Sequence, residues 1–324
     1  MRSRLRVPMI GLVTLVSLLG AGCSRGGGSA GPAGLEKTNL TVAAVPALDS
    51  AGVYIAQERG LFTAEGLHVK IVSAISSADV IARQLAGKYD VTSGAYPSYI
   101  EADAQGGAHF KVLVSGSTMG PATQEVVVLP GSPINTIADL KGKTIGLNAP
   151  ENIGALLVSS LLNDNAVDPR SVHFRYIPFP AMAHALQTHQ VDAAWLPEPF
   201  ITEVEESIGA QPLADANQGA AESLPIAGYM VTQSWEQKYP NTAAAFRRAL
   251  VEAQAIAANN LSAVQQSMAR FAGVPRMSAS IVAAPGFPTQ TQAGPLQRVV
   301  SLMVQYNLLT QGYNAALMIP RSKH

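Results

Sequence analysis

The chain has 324 residues, the length of about two domains, and its 22 basic side chains are balanced by 22 acidic ones. A charged fraction of 14% with 48% hydrophobic residues excludes extensive disorder, and the lack of a basic surplus argues against a nucleic-acid-binding protein. The single cysteine excludes an intramolecular disulfide and any zinc or iron–sulfur site held by several cysteines.

Residues 1–22 have the layout of an export signal. Three arginines precede an apolar run from Val7 to Leu19, and small residues separate this run from Cys23. The run is shorter than the roughly 20 residues of a bilayer-spanning helix. Removal of residues 1–22 leaves 19 basic and 22 acidic side chains, so the exported chain has a net charge of −3.

The stretch that follows the signal is rich in glycine, with little to bury. Residues 23–38 are therefore predicted to form a flexible tether. The folded part of the chain is expected to begin at residue 39.

Strand-like and helix-like segments alternate through the first part of the folded chain. The predicted strands are 40–45, 68–75, 90–93 and 110–115, and the predicted helices are 51–59, one that opens at 76–79, and 99–105. Gly60 is suited to end the first helix, and Ser76 with Asp79 has the spacing of a capping box. This alternation predicts βαβ units and a mainly parallel sheet.

The alternation restarts after Pro130, which predicts a second α/β unit. Its strands are 125–129, 144–148, 172–179 and 193–196, and its helices are 152–163 and 181–188. A strand at 225–233 and helices at 242–258, 261–271 and 296–306 are predicted to return to the first unit. The expected domains are a discontinuous lobe 1 (39–128 and 226–324) and a lobe 2 (129–225). A cleft between two such lobes is a common place for a small ligand.

Three parts of the sequence resemble the extracytoplasmic solute-binding proteins of ABC importers, in the group that serves sulfonates, taurine, nitrate and thiamine-pyrimidine precursors. They are residues 49–69, 140–146 and 190–200. The resemblance implies the α/β, type II periplasmic-binding-protein fold, with two lobes joined by two hinge strands. It also implies a monomer without a cofactor that delivers a small ligand to a permease and its ATPase.

Cys23 and the small residues before it resemble the cleavage site of a bacterial lipoprotein signal, in which the cysteine is lipidated. One departure is Gly20 at the position usually held by leucine, with Leu19 one position early. A non-lipidated export signal is the alternative. The resemblance implies an extracytoplasmic protein that is anchored to the bacterial cell membrane through Cys23.

The candidate ligand-binding residues follow predicted strands or open predicted helices, where loops and unpaired backbone N–H groups face a cleft. In lobe 1 they are Asp49, Ser50, Tyr54, Ser76, Ser77, Ser93, Gly94 and Tyr96. In lobe 2 they are Asn148, Asn152, Trp195 and Glu198. Each of them also has a structural alternative, as a helix cap or a core residue.

Two chemical expectations follow from this set. Tyr54, Tyr96 and Trp195 would offer a stacking surface to a ring-bearing ligand, with Trp195 exposed enough to be replaced by alanine at little cost in folding. Asp49 and Glu198, if both line the cleft, would favour a ligand with a hydrogen-bond donor or a cationic group.

The alternatives to solute binding for import are an enzyme and a ligand sensor. An enzyme on the same fold, resembling thiamine-pyrimidine synthase, would need a cysteine-rich iron-binding segment, and this sequence has only Cys23. No metal site is expected, because the six histidines are scattered and His184 and His189 are five residues apart, off the spacing of a helical ligand pair. A ligand sensor for a membrane receptor fits the sequence as well as an importer does.

Overall fold

The structure is a computed structural model that describes residues 34–271 and 282–320. The predicted export signal, Cys23 and residues 24–33 of the predicted tether lie outside the described residues. Among the residues described, none of the helices combines the length and the apolar character that crossing a bilayer requires.

Within the described residues the strands form two five-stranded sheets, one in each lobe. The strands are β1 (Asn39–Ala44), β2 (His68–Ser73), β3 (Val91–Ala95), β4 (Phe110–Thr118), β5 (Gln124–Val128), β6 (Thr144–Leu147), β7 (His173–Tyr176), β8 (Ala193–Pro197), β9 (Gln211–Asp215) and β10 (Pro225–Thr232).

The strand order in lobe 1 is β2-β1-β3-β10-β4. β1 pairs in parallel with β2 and β3, whereas β10 pairs antiparallel with both β3 and β4. The sheet is therefore mixed, where the sequence predicts a mainly parallel one. The reason is that β10 returns from lobe 2 and enters the sheet in the opposite direction.

The strand order in lobe 2 is β7-β6-β8-β5-β9, and β5 again runs antiparallel to its neighbours β8 and β9. Because β5 starts at Gln124, this lobe begins five residues before the boundary predicted at residue 129. β9 was not predicted. It contains Pro212 and lies at the edge of the sheet, the place where a strand tolerates proline.

Helices flank both sheets. In the part of the chain that the structure describes they are α1 (Ala51–Glu58), α2 (Leu61–Ala64), α3 (Ser77–Leu85), α4 (Tyr96–Ala104), α5 (Ile153–Asp164), α6 (Met182–Gln187), α7 (Phe200–Ile208), α8 (Gln233–Lys238), α9 (Pro240–Asn259), α10 (Leu261–Phe271) and α11 (Ala293–Gln305). The predicted helices match their counterparts within a few residues, whereas α2, α7 and α8 were not predicted.

The chain crosses between the lobes through residues 119–123, which join β4 to β5, and residues 216–224, which join β9 to β10. A further segment lies across the junction, because the backbone N–H of Ala283 donates to Oε1 of Glu198 in lobe 2 over 3.4 Å. The α/β class with two lobes and two connecting segments is thus confirmed.

Two apolar clusters build the core. One lies in lobe 1 between the sheet and helices α1, α9 and α10, and includes the stacked rings of Phe62 and Phe246, 5.0 Å apart. The other lies on the opposite face of that sheet and continues along α4 and α11 into lobe 2. The lobes are therefore joined by apolar packing as well as by the chain crossings.

The N-terminal end of the described chain is docked on lobe 1. The Glu36 carboxylate accepts the backbone N–H groups of Asn241 and Thr242 over 3.1 and 2.9 Å, and Lys37 Nζ lies 2.5 Å from Asp90 Oδ1. The predicted tether, which was expected to extend to residue 38, is therefore held to the folded domain from at least Glu36 onward.

Candidate functional site

A cavity of about 40 Å³ lies between the two lobes. Its lobe 1 wall comes from the loops after β1 and β3 with the starts of α1 and α3. Its lobe 2 wall comes from the loop after β6, the end of β8 and the start of α5. The predicted residues that line this inter-lobe cavity are Asp49, Ser50, Ser77, Gly94, Asn148, Asn152 and Trp195.

Three helices begin at the wall of the inter-lobe cavity. Ser50 directly precedes α1, Ser77 is the first residue of α3, and Asn152 is the N-cap of α5. The Asn152 side chain accepts the backbone N–H of Ala155 over 3.1 Å and donates to the Asn148 amide oxygen. The positive dipole ends of three helices meet at this wall, which favours a ligand that carries electronegative atoms.

Asp49 is, among the described residues, the one charged side chain that lines the inter-lobe cavity. Its Oδ1 accepts the Ser117 hydroxyl over 2.5 Å within lobe 1, and its Oδ2 accepts Nε2 of Gln124 over 3.4 Å from lobe 2. Burial raises the pKa of Asp49, although the two hydrogen bonds oppose this. A buried carboxylate with remaining lone pairs can accept a further donor from a ligand.

Small side chains let α3 approach β3 closely. The Ser77 hydroxyl accepts the backbone N–H of Ala95 over 2.9 Å, and a Cβ on Gly94 would lie only 2.9 Å from that hydroxyl and 3.0 Å from the Tyr99 ring. Gly94 is therefore needed for packing between α3 and β3. The hydroxyl of the neighbouring Ser93 lies 2.9 Å from that of Ser50.

Trp195 forms the aromatic part of the lobe 2 wall, together with Phe179. The indole is 1% exposed, and its ring centroid lies 5.9 Å from that of Phe179. A Cβ on Gly154 in α5 would come within 2.4 Å of Trp195 Cε3, so the helix start rests directly on the ring. The prediction of an exposed Trp195 is wrong, because this side chain is part of the core, and we therefore expect its replacement to cost stability.

The Trp195 indole N–H is buried without a hydrogen-bond partner among the described residues. Buried polar groups are nearly always paired, so an orphan donor in a residue that lines a cavity is typical of a position that a ligand or water satisfies. The Gln124 amide oxygen is likewise buried and unpaired, on the side of Asp49. Trp195 thus leaves a donor unsatisfied in the cavity lining, and Gln124, which bonds Asp49 without lining the cavity, leaves an acceptor unsatisfied.

Four predicted residues do not line the inter-lobe cavity because they serve the fold elsewhere. Tyr54 is 3% exposed in the apolar cluster of α1, and burial raises its pKa. The Ser76 hydroxyl caps α3 by accepting the backbone N–H of Asp79 over 3.3 Å. Ser93 bonds Ser50, and Tyr96 lies on a different cavity of lobe 1.

Glu198 is also turned away from the inter-lobe cavity. Its carboxylate accepts the Thr202 hydroxyl over 2.9 Å and the Thr202 backbone N–H over 3.2 Å, which satisfies the first turn of α7. Its backbone carbonyl accepts the N–H of Leu48 over 3.1 Å, across the lobes. Asp49 lines the inter-lobe cavity and Glu198 does not, so the condition on which a joint acidic site was expected is not met.

The sequence analysis did not name Phe179 of the cavity wall, or Ser117 and Gln124, which donate hydrogen bonds to Asp49. Phe179 was assigned to a strand that ends earlier, at Tyr176, and it is instead the first residue of a short 3-10 helix (Phe179–Ala181) at the cavity wall. Ser117 and Gln124 are polar residues at the end of β4 and the start of β5, and their place beside the lobe crossing was the available signal. No group of three His, Cys, Asp or Glu side chains within the described ranges could hold a metal ion.

The sequence was compared with those of known proteins. The NMT1/THI5-like family matches residues 47–261. The bicarbonate transport ATP-binding protein CmpC of Synechococcus elongatus is 27% identical over 237 residues, covering 68% of this chain and 35% of CmpC. The 4-amino-5-hydroxymethyl-2-methylpyrimidine phosphate synthase of Schizosaccharomyces pombe is 33% identical over 94 residues, covering 29% of this chain and 26% of the synthase. The chain thus spans about a third of the length of CmpC.

Among solved structures, the alkanesulfonate-binding protein SsuA from Xanthomonas axonopodis pv. citri bound to MOPS superimposes with a TM-score of 0.76. The two are 18% identical, and the match covers 89% of this chain and all of SsuA. At this identity the likeness shows the fold, which is that of the periplasmic binding proteins.

Proposed function

Because the chain belongs to the NMT1/THI5-like family, we propose that it is the solute-binding component of an ABC importer. It captures a small organic solute between its lobes and delivers it to a membrane permease with its ATPase. The observation that carries this proposal is the inter-lobe cavity, to which both lobes contribute helix starts and polar side chains. A solute that contacts both walls favours the closed arrangement by its differential affinity for it.

The ligand class follows from the charge of the cavity. Asp49 is buried and accepts hydrogen bonds, so it favours a ligand with an N–H donor and repels a sulfonate at the same place. The rings of Trp195 and Phe179 offer a flat apolar wall. We therefore assign the site to an amino-substituted nitrogen heterocycle of the thiamine-pyrimidine kind, in preference to taurine or another sulfonate.

Ligand entry requires the lobes to move. The inter-lobe cavity holds about 40 Å³, whereas pockets for small organic ligands measure roughly 300–1,000 Å³. The two crossing segments, 119–123 and 216–224, are where the chain would flex. Capture would thus consist of opening about these segments, binding, and closure.

Calorimetric titration tests the ligand class. We expect 4-amino-5-hydroxymethyl-2-methylpyrimidine to bind at least about tenfold more tightly than taurine and than the same pyrimidine without its amino group. Asp49→Asn should remove most of the difference between the two pyrimidines, because the carboxylate is the acceptor for the amino group. A clear preference for taurine, or equal binding of the two pyrimidines by the unaltered protein, contradicts the assignment.

We further propose that the protein is a lipoprotein, held at the outer face of the cell membrane by Cys23. Cys23→Ser should move the protein from the membrane fraction to the soluble fraction, because a lipidated N-terminus holds a chain at the bilayer through its acyl groups. Fractionation with a high-salt wash checks this. Membrane association of the variant that survives the wash contradicts the anchor.

Import and sensing differ in where the solute goes. In an importer, deletion of the gene should abolish uptake of the labelled pyrimidine at low concentration, and the gene in trans should restore it. Unchanged uptake together with a lost transcriptional or chemotactic response would instead indicate a sensor. The partial likeness to the pyrimidine phosphate synthase does not alter the proposal of binding without chemistry, since it covers 26% of that enzyme.

A further inference from the structure

We propose a second ligand site in lobe 1, separate from the inter-lobe cavity, that takes a small neutral molecule rich in hydroxyl groups, such as a monosaccharide or cyclic polyol. It is a cavity of about 340 Å³, here called the hinge pocket, lined by Tyr96, Ser115, Ser117, Thr118 and Pro225 and by residues 288–292, Pro295 and Leu296. Its volume falls within the range of about 300–1,000 Å³ for small-molecule sites.

The outer wall of the hinge pocket is fastened to β4 at two points. Gly286 and Thr118 exchange both backbone hydrogen bonds, each 3.0 Å long. Farther along, the Thr291 hydroxyl accepts the backbone N–H of Ser115 over 3.1 Å and the Ser115 hydroxyl over 3.2 Å. The residues between these two points span the pocket, so the cavity has a defined wall.

The polar groups of the hinge pocket are hydroxyls and amides. Thr118, Thr289, Gln290 and Gln292 have side-chain polar atoms with no intramolecular hydrogen-bond partner within the described residues. These groups both donate and accept, as the hydroxyls of a polyol do. A hydroxyl-rich ligand could therefore exchange its bonds to water for bonds to these side chains.

The charge and the apolar side of the hinge pocket further restrict the class of ligand that it can bind. None of the described residues that line the hinge pocket is charged, so an ionic ligand would lose hydration there without gaining a counter-charge. Pro225, Pro295 and Leu296 supply an apolar side, which suits the C–H face of a sugar ring. The ligand is accordingly neutral, with hydroxyl groups on one side and carbon on the other.

The hinge pocket adjoins the inter-lobe cavity and yet is distinct from it. Ser117 lines the hinge pocket and donates its hydroxyl to Asp49, which lines the inter-lobe cavity. Thr118 and Pro225 are the strand ends at which the chain leaves for lobe 2 and returns from it. A molecule in this pocket would thus sit against both crossing segments.

The experiment is a calorimetric titration of the full chain with myo-inositol and D-glucose as neutral probes, and with D-gluconate and D-glucosamine as charged ones. We expect at least one neutral probe to bind with a millimolar or lower Kd, and both charged probes to bind at least about tenfold more weakly. Absence of binding by both neutral probes up to about 100 mM, or equal binding of a charged probe, overturns the proposal.

Variants then locate the site. Thr118→Val and Gln290→Leu should each raise the Kd of the neutral probe about fivefold or more. Asn148→Ala, which alters only the inter-lobe cavity, should leave it unchanged. Loss of probe binding in Asn148→Ala with both hinge-pocket variants unaffected would assign the probe to the inter-lobe cavity and overturn the proposal. Because Gln290 is on the surface, its replacement keeps the test valid if Thr118→Val folds poorly.

Discussion

The two walls of the inter-lobe cavity are built from different chemistry. The lobe 1 wall presents a carboxylate and hydroxyls, Asp49, Ser50 and Ser77, each already held by a hydrogen bond within the protein. The lobe 2 wall presents the rings of Trp195 and Phe179, which are packed into the core of that lobe. Lobe 2 also contributes the amides of Asn148 and Asn152, so polar groups come from both lobes. The difference is that, among the described residues, the charged group comes from lobe 1 and the aromatic rings come from lobe 2.

The largest effect on stability is expected from a substitution in the lobe 2 wall. Trp195→Ala removes a ring that is 1% exposed and supports the start of α5, so it should lower the free energy of unfolding by about 3–5 kcal/mol. Urea denaturation measures this.

Tyr176→Ala is the matched control, because Tyr176 is an aromatic residue of the same lobe that is 50% exposed. Its replacement should change the stability by less than about 0.5 kcal/mol. Equal effects of the two variants would mean that Trp195 is not a core residue.

An effect of intermediate size is expected from the pH dependence of stability, in which two buried carboxylates differ. Asp49 in lobe 1 faces the donors Ser117 and Gln124, whereas Glu125 in lobe 2 is 6% exposed and faces Asp215, Glu205 and Glu198. Glu125 and Asp215 are cross-strand partners on β5 and β9. Burial first, and these like charges second, raise the pKa of Glu125 from 4.5 to about 7.

The raised pKa of Glu125 determines the direction in which stability changes with pH. The folded state binds the Glu125 proton more tightly than the unfolded state, so stability falls as the pH rises from 4.5 to about 7. Glu125→Gln should remove this fall. The free energy of unfolding of the variant, relative to that of the unaltered protein, should therefore rise by about 1–3 kcal/mol between pH 5 and pH 8. Denaturation at both pH values measures it, with the exposed Glu222→Gln as control. Parallel pH profiles for Glu125→Gln and the unaltered protein would refute the raised pKa.

The smallest effect concerns the lobe 1 wall. The hydroxyls of Ser50 and Ser93 are 2.9 Å apart and buried, so Ser50→Ala should cost about 1 kcal/mol. A double-mutant cycle with Ser93→Ala should give a coupling energy of about 0.5–1.5 kcal/mol. Additive effects would indicate that this hydroxyl pair does not stabilise the loop.

Local patterns in the sequence were sufficient to predict the lobe architecture and part of the site. Asp49, Ser50 and Ser77 reach the inter-lobe cavity because they follow parallel strands, whose carboxyl ends meet at one edge. The placement of Tyr54 could not be predicted in this way. Tyr54 is buried in an apolar cluster that includes residues of α9 and α10, which come about 200 residues later in the chain, so local spacing does not determine which side chains of α1 are buried.

The two lobe 2 errors have similar causes. Glu198 was expected in the cleft, with capping of the following helix as the alternative, and its carboxylate bonds the first turn of α7. Trp195 was expected to be exposed because it lies near a strand end, but Gly154 lets α5 cover its ring. Both depend on how a helix packs against the end of a strand, which a single sequence does not encode locally.

The central claim is that a solute binds in the inter-lobe cavity. Equilibrium dialysis of the unaltered protein and of Asn148→Ala against a bacterial metabolite extract, followed by mass spectrometry, tests it most directly. We expect the unaltered protein to retain an amino-substituted nitrogen heterocycle and Asn148→Ala to retain much less of it. Retention of no compound by the unaltered protein, or of the same compound to the same extent by the variant, would contradict the claim.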